Sequence, residues 1–439
     1  EIIKCDWSSD VCSSDLMPFH LDPAIESMVK NMAHNLPSQA RHLHYRRSSL
    51  KYYAIYCPLA RTGLSIPVCR KLVIANSRSR NLKAIRLAAS GDPAGLVLGE
   101  EPVPVPGSHE VLVRVHAASL NYRDLVILSG HYPGPVKKNG VPLSDGAGEV
   151  IAIGSAVTRV KVGDRVSANC QLHWISGPTR EEYHSSSVGM TIDGMLADHV
   201  VLHENGLVRL PDYLSYAEAA SLPCAAVSAW SALNVYSPLK PGQTVLVQGT
   251  GGVALFGLQI ARIFNAHVLA ITSSDEKAER LTQIGAAAVV NYRQFPDWER
   301  KILDLTDGKG VDKVVEIGGE TTIVKSAAST KIGGEIGLVG FVSGFGGGLP
   351  PIDILQRSLK IAGIVIGPRE SFEDLLAAMA STAVRPVIDH VFPFAEYRDV
   401  KKSFFDNLPK TAFTLTNIDD KNGLVMLQHT QAKKLTYAL

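Results

Sequence analysis

The chain has 439 residues, 46% of them hydrophobic and 20% charged, the composition of a soluble globular protein with room for two to three domains. No apolar run reaches the roughly 18–20 residues that span a bilayer, so no membrane-spanning helix is expected. The net charge of +2 is unevenly spread: residues 27–80 hold ten Lys or Arg and no acid, residues 1–26 carry a net −5, and the rest is mildly acidic. An acidic body argues against nucleic acid as a partner.

In chain order, Glu1–Leu16 (EIIKCDWSSDVCSSDL) resembles translated sequencing-adapter DNA. Residues 27–80 have the composition of a mitochondrial transit peptide or of translated non-coding sequence. Residues 1–81 are therefore read as a poorly ordered leader. The expected location is cytoplasmic, or mitochondrial if residues 28–80 are a transit peptide. Cys5, Cys12, Cys57 and Cys69 fall in this leader, leaving Cys170 and Cys224 in the body. With no C-x-x-C pattern, neither a disulfide framework nor a zinc lobe of four cysteines is predicted.

The body starts near Leu82, with short strands at 81–87, 110–116, 148–154 and 163–166 separated by glycine turns, the pattern of a partly closed β-barrel over residues 82–224. From about Ala225 the rhythm changes to strand–helix alternation. Strands are expected at 244–248, 267–272, 287–291, 311–317 and 335–341, which makes a doubly wound parallel sheet over residues 225–367. A helix at about 371–381 and a strand at 385–394 then return the chain to the first domain over residues 368–416. Residues 417–439 read as a tail.

The most informative stretch is Thr244–Ala254, TVLVQGTGGVA. Gly249, Gly251 and Ala254 fit G-x-G-x-x-G/A, with Thr250, Gly252 and Val253 completing the turn. The first glycine permits the tight turn, the second lets a pyrophosphate approach the backbone, and the small third residue lets the helix pack close. The helix N-terminus adds free N–H groups and a positive dipole end. A dinucleotide is predicted here. At the end of the next strand an NAD enzyme usually carries Asp or Glu for the ribose hydroxyl; this chain has Ser273 and Ser274 with Lys277 nearby. A lysine among hydroxyls accepts a 2′-phosphate that a carboxylate would repel, so NADPH is favoured over NADH. Asp275 is expected to cap a helix starting at Glu276, although Ser273 or Ser274 can equally be a plain cap. Tyr292, with Asn291 and Arg293, is placed to close over the adenosine phosphate. Gly340 and Phe341, at a later strand end, are candidates to wall the nicotinamide.

Taken together, Asn121-Tyr-Arg-Asp124, Pro142-Leu-Ser-Asp-Gly-Ala-Gly-Glu-Val150, Val162-Gly-Asp-Arg-Val166, Asp193-Gly-Met-Leu-Ala-Asp198, Leu222-Pro-Cys-Ala225 and Gly249-Thr-Gly-Gly252 resemble the medium-chain dehydrogenase/reductase superfamily. The likeness is greatest to its zinc-free, quinone-oxidoreductase-like branch, and covers roughly residues 82–416. The resemblance implies an α/β protein with a GroES-like β-barrel catalytic domain, a Rossmann domain and a homodimer paired through the Rossmann sheet edge, near Glu335–Val342. It also suggests a cofactor role for Arg369, while the glycine-rich Gly344–Gly348 reads as a mobile lid.

Alcohol dehydrogenases of this superfamily hold a catalytic zinc with two Cys and one His, with a Glu or Asp nearby. The motif that would hold the first Cys reads Asn121-Tyr-Arg-Asp124 and the one that would hold the His reads Ser144-Asp-Gly-Ala-Gly148; only Cys224 survives, and one ligand in three cannot hold zinc. Cys170 has no partner by spacing, and His173, His184 and His199 match no metal pattern, so no metal site is expected. Without a Lewis acid, hydride transfer from NADPH to a quinone or an activated alkene is the easier reaction, because the developing enolate needs only donors and a proton. Tyr122 is the candidate donor, Asn121 orients the substrate oxygen or the nicotinamide ribose, and Asp124 anchors the loop. Alternatively the three form only a loop-stabilising cluster. Two other functions stay open: an alcohol dehydrogenase acting on a small alcohol or aldehyde, and a non-catalytic NADPH-binding sensor.

Overall fold

The computed structural model describes residues 81–88 and 95–394, together with the backbone of six short strands outside them. Glu1–Arg80 and Asn81–Leu439 are separate units. Within the first, β1 (Ile2–Asp6), β2 (His42–Arg47), β3 (Tyr52–Tyr56) and β4 (Val73–Ala75) pair antiparallel in that order. Aromatic and β-branched residues in the second and third of these segments have strand propensity. The rest of the leader lies outside the described residues.

The second unit opens with the hairpin of β5 (Asn81–Leu87) and β6 (Leu96–Pro102). A separate antiparallel sheet is built on β7 (Glu110–Leu120), β8 (Asp145–Ile153), β9 (Arg165–Ala168), β10 (His199–His203) and β11 (Leu207–Arg209), in the order β10-β7-β8-β9-β11. Between β7 and β8 lies the short helix α1 (Tyr122–Leu128), whose residues after Tyr122 are all buried. Leu82, Ile85, Val111, Val113, Val150 and Leu202 close the apolar interior of this half.

After helices α2 (Tyr216–Ala220) and α3 (Val227–Asn234), the chain alternates strands and helices. They are β12 (Thr244–Gln248), α4 (Gly252–Ile263), β13 (His267–Thr272), α5 (Asp275–Ile284), β14 (Ala288–Asn291), α6 (Trp298–Asp304), β15 (Val311–Glu316), α7 (Ile323–Ser329), β16 (Thr330–Leu338), α8 (Pro351–Arg357) and β17 (Lys360–Gly363). The parallel sheet runs β14-β13-β12-β15-β16-β17, an order that reverses between β12 and β15, where ligands bind in such folds. The strands are largely apolar because both faces are covered. Val245 and Val247 face one core with Phe256 and Leu258, while Leu246 faces the other with Trp298 and Ile302. Among the described residues no helix is long and apolar enough to cross a membrane.

Helix α9 (Arg369–Thr382) follows. The strand expected over 385–394 is reduced to β18 (His390–Val391), since Pro386 and Pro393 lack the N–H that a ladder needs. The return is made instead by β19 (Phe413–Thr416), which pairs antiparallel with the end of β7, Leu120 to Ala117. In the tail, β20 (Val425–Met426) pairs with β18.

Candidate active site

The glycine turn joins β12 to α4 at the switch point. Gly249 has φ +77°, a left-handed conformation that suits glycine, and its N–H donates to Ile271 O at 2.7 Å. Gly251 is the N-cap of α4 and has no side chain to satisfy the first-turn N–H groups. A Cβ built on Gly251 meets nothing within 4 Å. The turn is therefore an open cradle lined by unsatisfied donors, with the chemistry of a phosphate site. Ala254 is fully buried, and a Cβ on Gly257 would lie 3.1 Å from Val247 Cγ1, so a second small residue also sets the helix–sheet distance.

At the end of β13, Ser274 caps α5, its Oγ accepting the Lys277 N–H at 3.4 Å. Asp275 is not the cap: it occupies the first helical turn, and its carboxylate accepts from Asn291 Nδ2 at 2.8 Å and Gln294 Nε2 at 2.7 Å. Those two amides hold Asp275 turned toward the end of β14. Asn291 is thus committed to the scaffold, while Tyr292 and Arg293 are exposed. Lys277 Nζ donates to Ser273 Oγ at 3.4 Å, keeping a cation beside the strand end.

The far wall is formed by the ends of β15 and β16. Glu316, fully buried, gathers the loop after its strand. Its Oε1 accepts from Gly318 N at 2.8 Å, Gly319 N at 2.9 Å and Thr322 Oγ1 at 2.5 Å. Its Oε2 accepts from Gln248 Nε2 at 2.6 Å and from Ser326 Oγ. Gln248 Oε1 in turn accepts the Ile317 and Gly318 N–H groups at 3.2 Å. The fixed loop brings Ile317 Cδ1 within 3.9 Å of a Cβ on Gly249. A Cβ on Gly340 would stand 2.6 Å from Ile317 O, so glycine is required for the two strand ends to touch. Phe341 follows, meeting Tyr122 edge-on with ring centroids 5.9 Å apart and stacking on Phe345 at 4.4 Å. Gln248, Ile317, Gly340, Phe341 and Tyr122 thereby form a continuous path from the glycine cradle to α1.

At α1, Asn121 is the N-cap, and Asp124 Oδ2 accepts its backbone N–H at 2.9 Å. The next turn sinks a cluster of charges into the barrel. Arg123 Nη2 donates to Ser187 Oγ at 3.0 Å and approaches Met190 Sδ at 3.8 Å. Burial opposes the Arg123 charge, but Cys170 and Asp124 more than offset this and its pKa is raised. Burial pushes the Asp124 carboxyl up to about 7 against the pull of Arg123. Asp145, at the start of β8, is also raised by burial. Asp145 Oδ1 accepts from Ser144 Oγ at 2.7 Å and from the Cys170 thiol at 3.4 Å, and Oδ2 accepts the Cys224 N–H at 2.9 Å. Asp145, Cys170 and Cys224 place one candidate ligand atom each within 4.8 Å of one another, the one such grouping among the described residues.

Two family models match this chain: residues 107–212 match the alcohol dehydrogenase GroES-like domain and residues 252–381 the zinc-binding dehydrogenase domain. A zinc-type alcohol dehydrogenase-like protein of Schizosaccharomyces pombe is 41% identical over 296 residues, 66% of this chain and 86% of that one. The chain belongs to the medium-chain dehydrogenase/reductase superfamily. A quinone oxidoreductase of Pseudomonas aeruginosa is 32% identical, over 73% of this chain and 90% of the relative. A mycobacterial protein solved in complex with NADPH has a TM-score of 0.61 and 27% identity, covering 74% of this chain and 96% of that one.

In this member of the superfamily the sequence-predicted residues fall into two groups. Gly249, Thr250, Gly251, Gly252 and Val253 form the turn, with Ser273, Ser274, Lys277 and Tyr292 at the neighbouring strand ends and Gly340 and Phe341 opposite. Asn121, Tyr122 and Asp124 share one helical turn. Arg369 is not directed to this cleft: its Nη1 donates to Asn205 O at 2.7 Å and its Nε pairs with Glu373 at 3.3 Å. The Gly344–Gly348 segment is tied to Glu320, whose Oε2 accepts the Gly346 N–H at 3.2 Å. Sequence reasoning missed Gln248, Glu316 and Asp145. The first two were visible only as polar residues ending apolar strands. It also read Cys170 as partnerless, whereas Asp145 and Cys224 stand beside it; both are distant in sequence, and spacing rules do not see such pairs.

Proposed function

We propose that the protein is an oxidoreductase that transfers a hydride from NADPH to a quinone or an α,β-unsaturated carbonyl compound without a metal. The observation that carries this reading is the open Gly251 cradle, joined through Ile317, Gly340 and Phe341 to the Tyr122 ring. NADPH bound there would supply the hydride. Gly249–Val253 would hold its pyrophosphate, Ser273, Ser274 and Lys277 its 2′-phosphate, Tyr292 its adenosine, and Gly340 and Phe341 its nicotinamide end. The Tyr122 phenol donates a hydrogen bond to the substrate oxygen as negative charge develops on it. Asn121 fixes the turn from which Tyr122 projects, and Asp124 locks that turn by accepting the Asn121 N–H.

The alcohol dehydrogenase reading needs a zinc, and the donor set does not fit one. The motifs at Asn121–Asp124 and Ser144–Gly148 hold neither the Cys nor the His that the resemblance assigns to them as ligands. Asp145 already accepts three donors. The buried Arg123 guanidinium acts electrostatically on both thiols, a positive charge that opposes a cation among them. We also propose a homodimer through the Rossmann sheet edge; Glu335–Leu338 belong to the inner strand β16, so the edge is β17, unpaired on its outer side among the described residues and flanked by the exposed apolar side chains of Ile352 and Leu355.

The test is cofactor oxidation by the full chain with phenanthrenequinone, a simple enone and a panel of short alcohols run in the reverse direction. The expected result is NADPH-preferring turnover of the first two. Alcohol oxidation with no quinone or enone turnover would overturn the reading, and tight NADPH binding with no turnover at all would make the protein a sensor.

A further inference from the structure

Cys170 and Cys224 take no part in the hydride transfer just described. We infer that they are a redox pair that a peroxide closes to a disulfide. Three observations converge on this pair. The first is geometry: one carboxylate seats both residues. Asp145 Oδ1 accepts the Cys170 thiol at 3.4 Å, and Oδ2 accepts the Cys224 backbone N–H at 2.9 Å. The sulfur atoms lie within 4.8 Å of each other, so a disulfide of about 2.05 Å needs them to approach by less than about 3 Å. Cys224 also sits in a π-helical turn, Leu222–Ala226, a wide turn of the kind that recurs at functional positions.

The second observation is an asymmetry of access. Cys170 is fully buried, whereas Cys224 is partly exposed. A small oxidant therefore reaches Cys224 first, and Cys170 is placed to resolve the product. The third is charge. The buried Arg123 guanidinium acts electrostatically on both thiols, and its Nε and Nη1 make no hydrogen bond. Burial nonetheless holds the Cys170 thiol well above its ordinary pKa, so Cys170 resolves as the protonated thiol that donates to Asp145.

The chemistry balances in two steps. The Cys224 sulfur attacks a peroxide oxygen, the O–O bond breaks, and Cys224 sulfenic acid and an alcohol or water form. The Cys170 sulfur then attacks the Cys224 sulfur. The S–S bond forms, the S–O bond breaks, and the Cys170 proton passes through Asp145 to the departing hydroxide, giving water. The sulfurs lose two electrons and the peroxide gains them. The disulfide takes the thiol donor away from Asp145 and pulls on the π-helical turn. Asp145 pairs across the sheet with Ser119, two residues before Asn121. Oxidation should thus disturb the turn that carries Tyr122.

The experiment is to treat the full chain with graded hydrogen peroxide, alkylate, and map the cysteine peptides by mass. The other four cysteines lie in the leader and are followed separately on the same map. Cys170 and Cys224 should leave the thiol pool together as one linked peptide, lighter by two hydrogens, and return with dithiothreitol. In Cys170→Ser the reaction should stop at a Cys224 sulfenic acid that dimedone captures. If both thiols stay alkylatable, or if they oxidise separately with no linked peptide, the inference fails. It also fails if a stoichiometric metal copurifies and shields both thiols, since the pair is then a ligand set. These readouts do not depend on catalytic turnover, so failure of the hydride-transfer reading leaves them interpretable.

Discussion

At the Gly249 turn the chain prepares its site with backbone; at α1 it does so with side chains drawn from four distant segments. The cradle at Gly251 is empty of side chain, and its chemistry comes from helix N–H groups that any sequence would carry. The cluster beneath Tyr122 is the opposite. Arg123, Asp124, Asp145, Cys170 and Cys224 meet in a buried space, and each has a perturbed charge or a specific partner. A backbone site can be lost by adding one side chain without unfolding the protein. A buried charged cluster cannot be altered so cleanly, because removing one partner strands another.

The largest expected effect exploits that difference. Gly251→Asp adds a side chain into open space, and Asp is a good N-cap, so the melting temperature should hold or rise. Its carboxylate would face the cofactor phosphates at a cost of about 4 kcal/mol per close charge pair at an effective dielectric near 20, a weakening of roughly a thousandfold. Calorimetry with NADPH measures it. Unchanged affinity would remove the cradle from the cofactor site.

Tyr122→Phe comes next. It keeps the ring against Phe341 and deletes only the hydroxyl, so kcat with an enone should fall about a hundredfold, as for loss of one oxyanion donor, with little change in cofactor affinity. An unaltered kcat would reduce the Asn121–Asp124 turn to a structural role. Lys277→Ala should weaken NADPH about tenfold, the scale of one charged hydrogen bond, and leave NADH unchanged. Equal loss for both cofactors would mean that Lys277 supports the strand end and does not select the phosphate.

The remaining effect is in the cluster and is read as stability, not as binding or rate. With a folded pKa of about 7 against the ordinary 3.8, Asp124 binds its proton more tightly in the folded state. Its contribution to stability is full below the unfolded value and is lost as pH rises through the folded one. The melting temperature should therefore fall between about pH 4 and about pH 7 and level off above that, and Asp124→Asn should flatten that fall. An identical slope in the variant would assign the titration to another group.

The same contrast explains what the sequence disclosed. The parallel sheet was legible because strands such as β12 and β13 are apolar on both faces and end in glycine or hydroxyl residues, a local signal. The cradle was legible because Gly249, Gly251 and Ala254 are neighbours in sequence. Ser274 against Asp275 as the cap was not legible, since both residue types cap helices and only Asn291 and Gln294, met 16 and 19 residues later, draw Asp275 away. The return strand was misplaced at 385–394 because its apolar pattern outweighed two prolines. The buried cluster was hidden for a further reason. Asp145 and Cys224 are 79 residues apart, and nothing in either local segment announces the other.

One measurement tests the metal-free hydride transfer most directly: the rate of NADPH oxidation with phenanthrenequinone by the full chain after exhaustive chelation, with metal content determined on the same sample. The account predicts full activity in metal-free protein. Activity that disappears with the metal and returns with added zinc would contradict it.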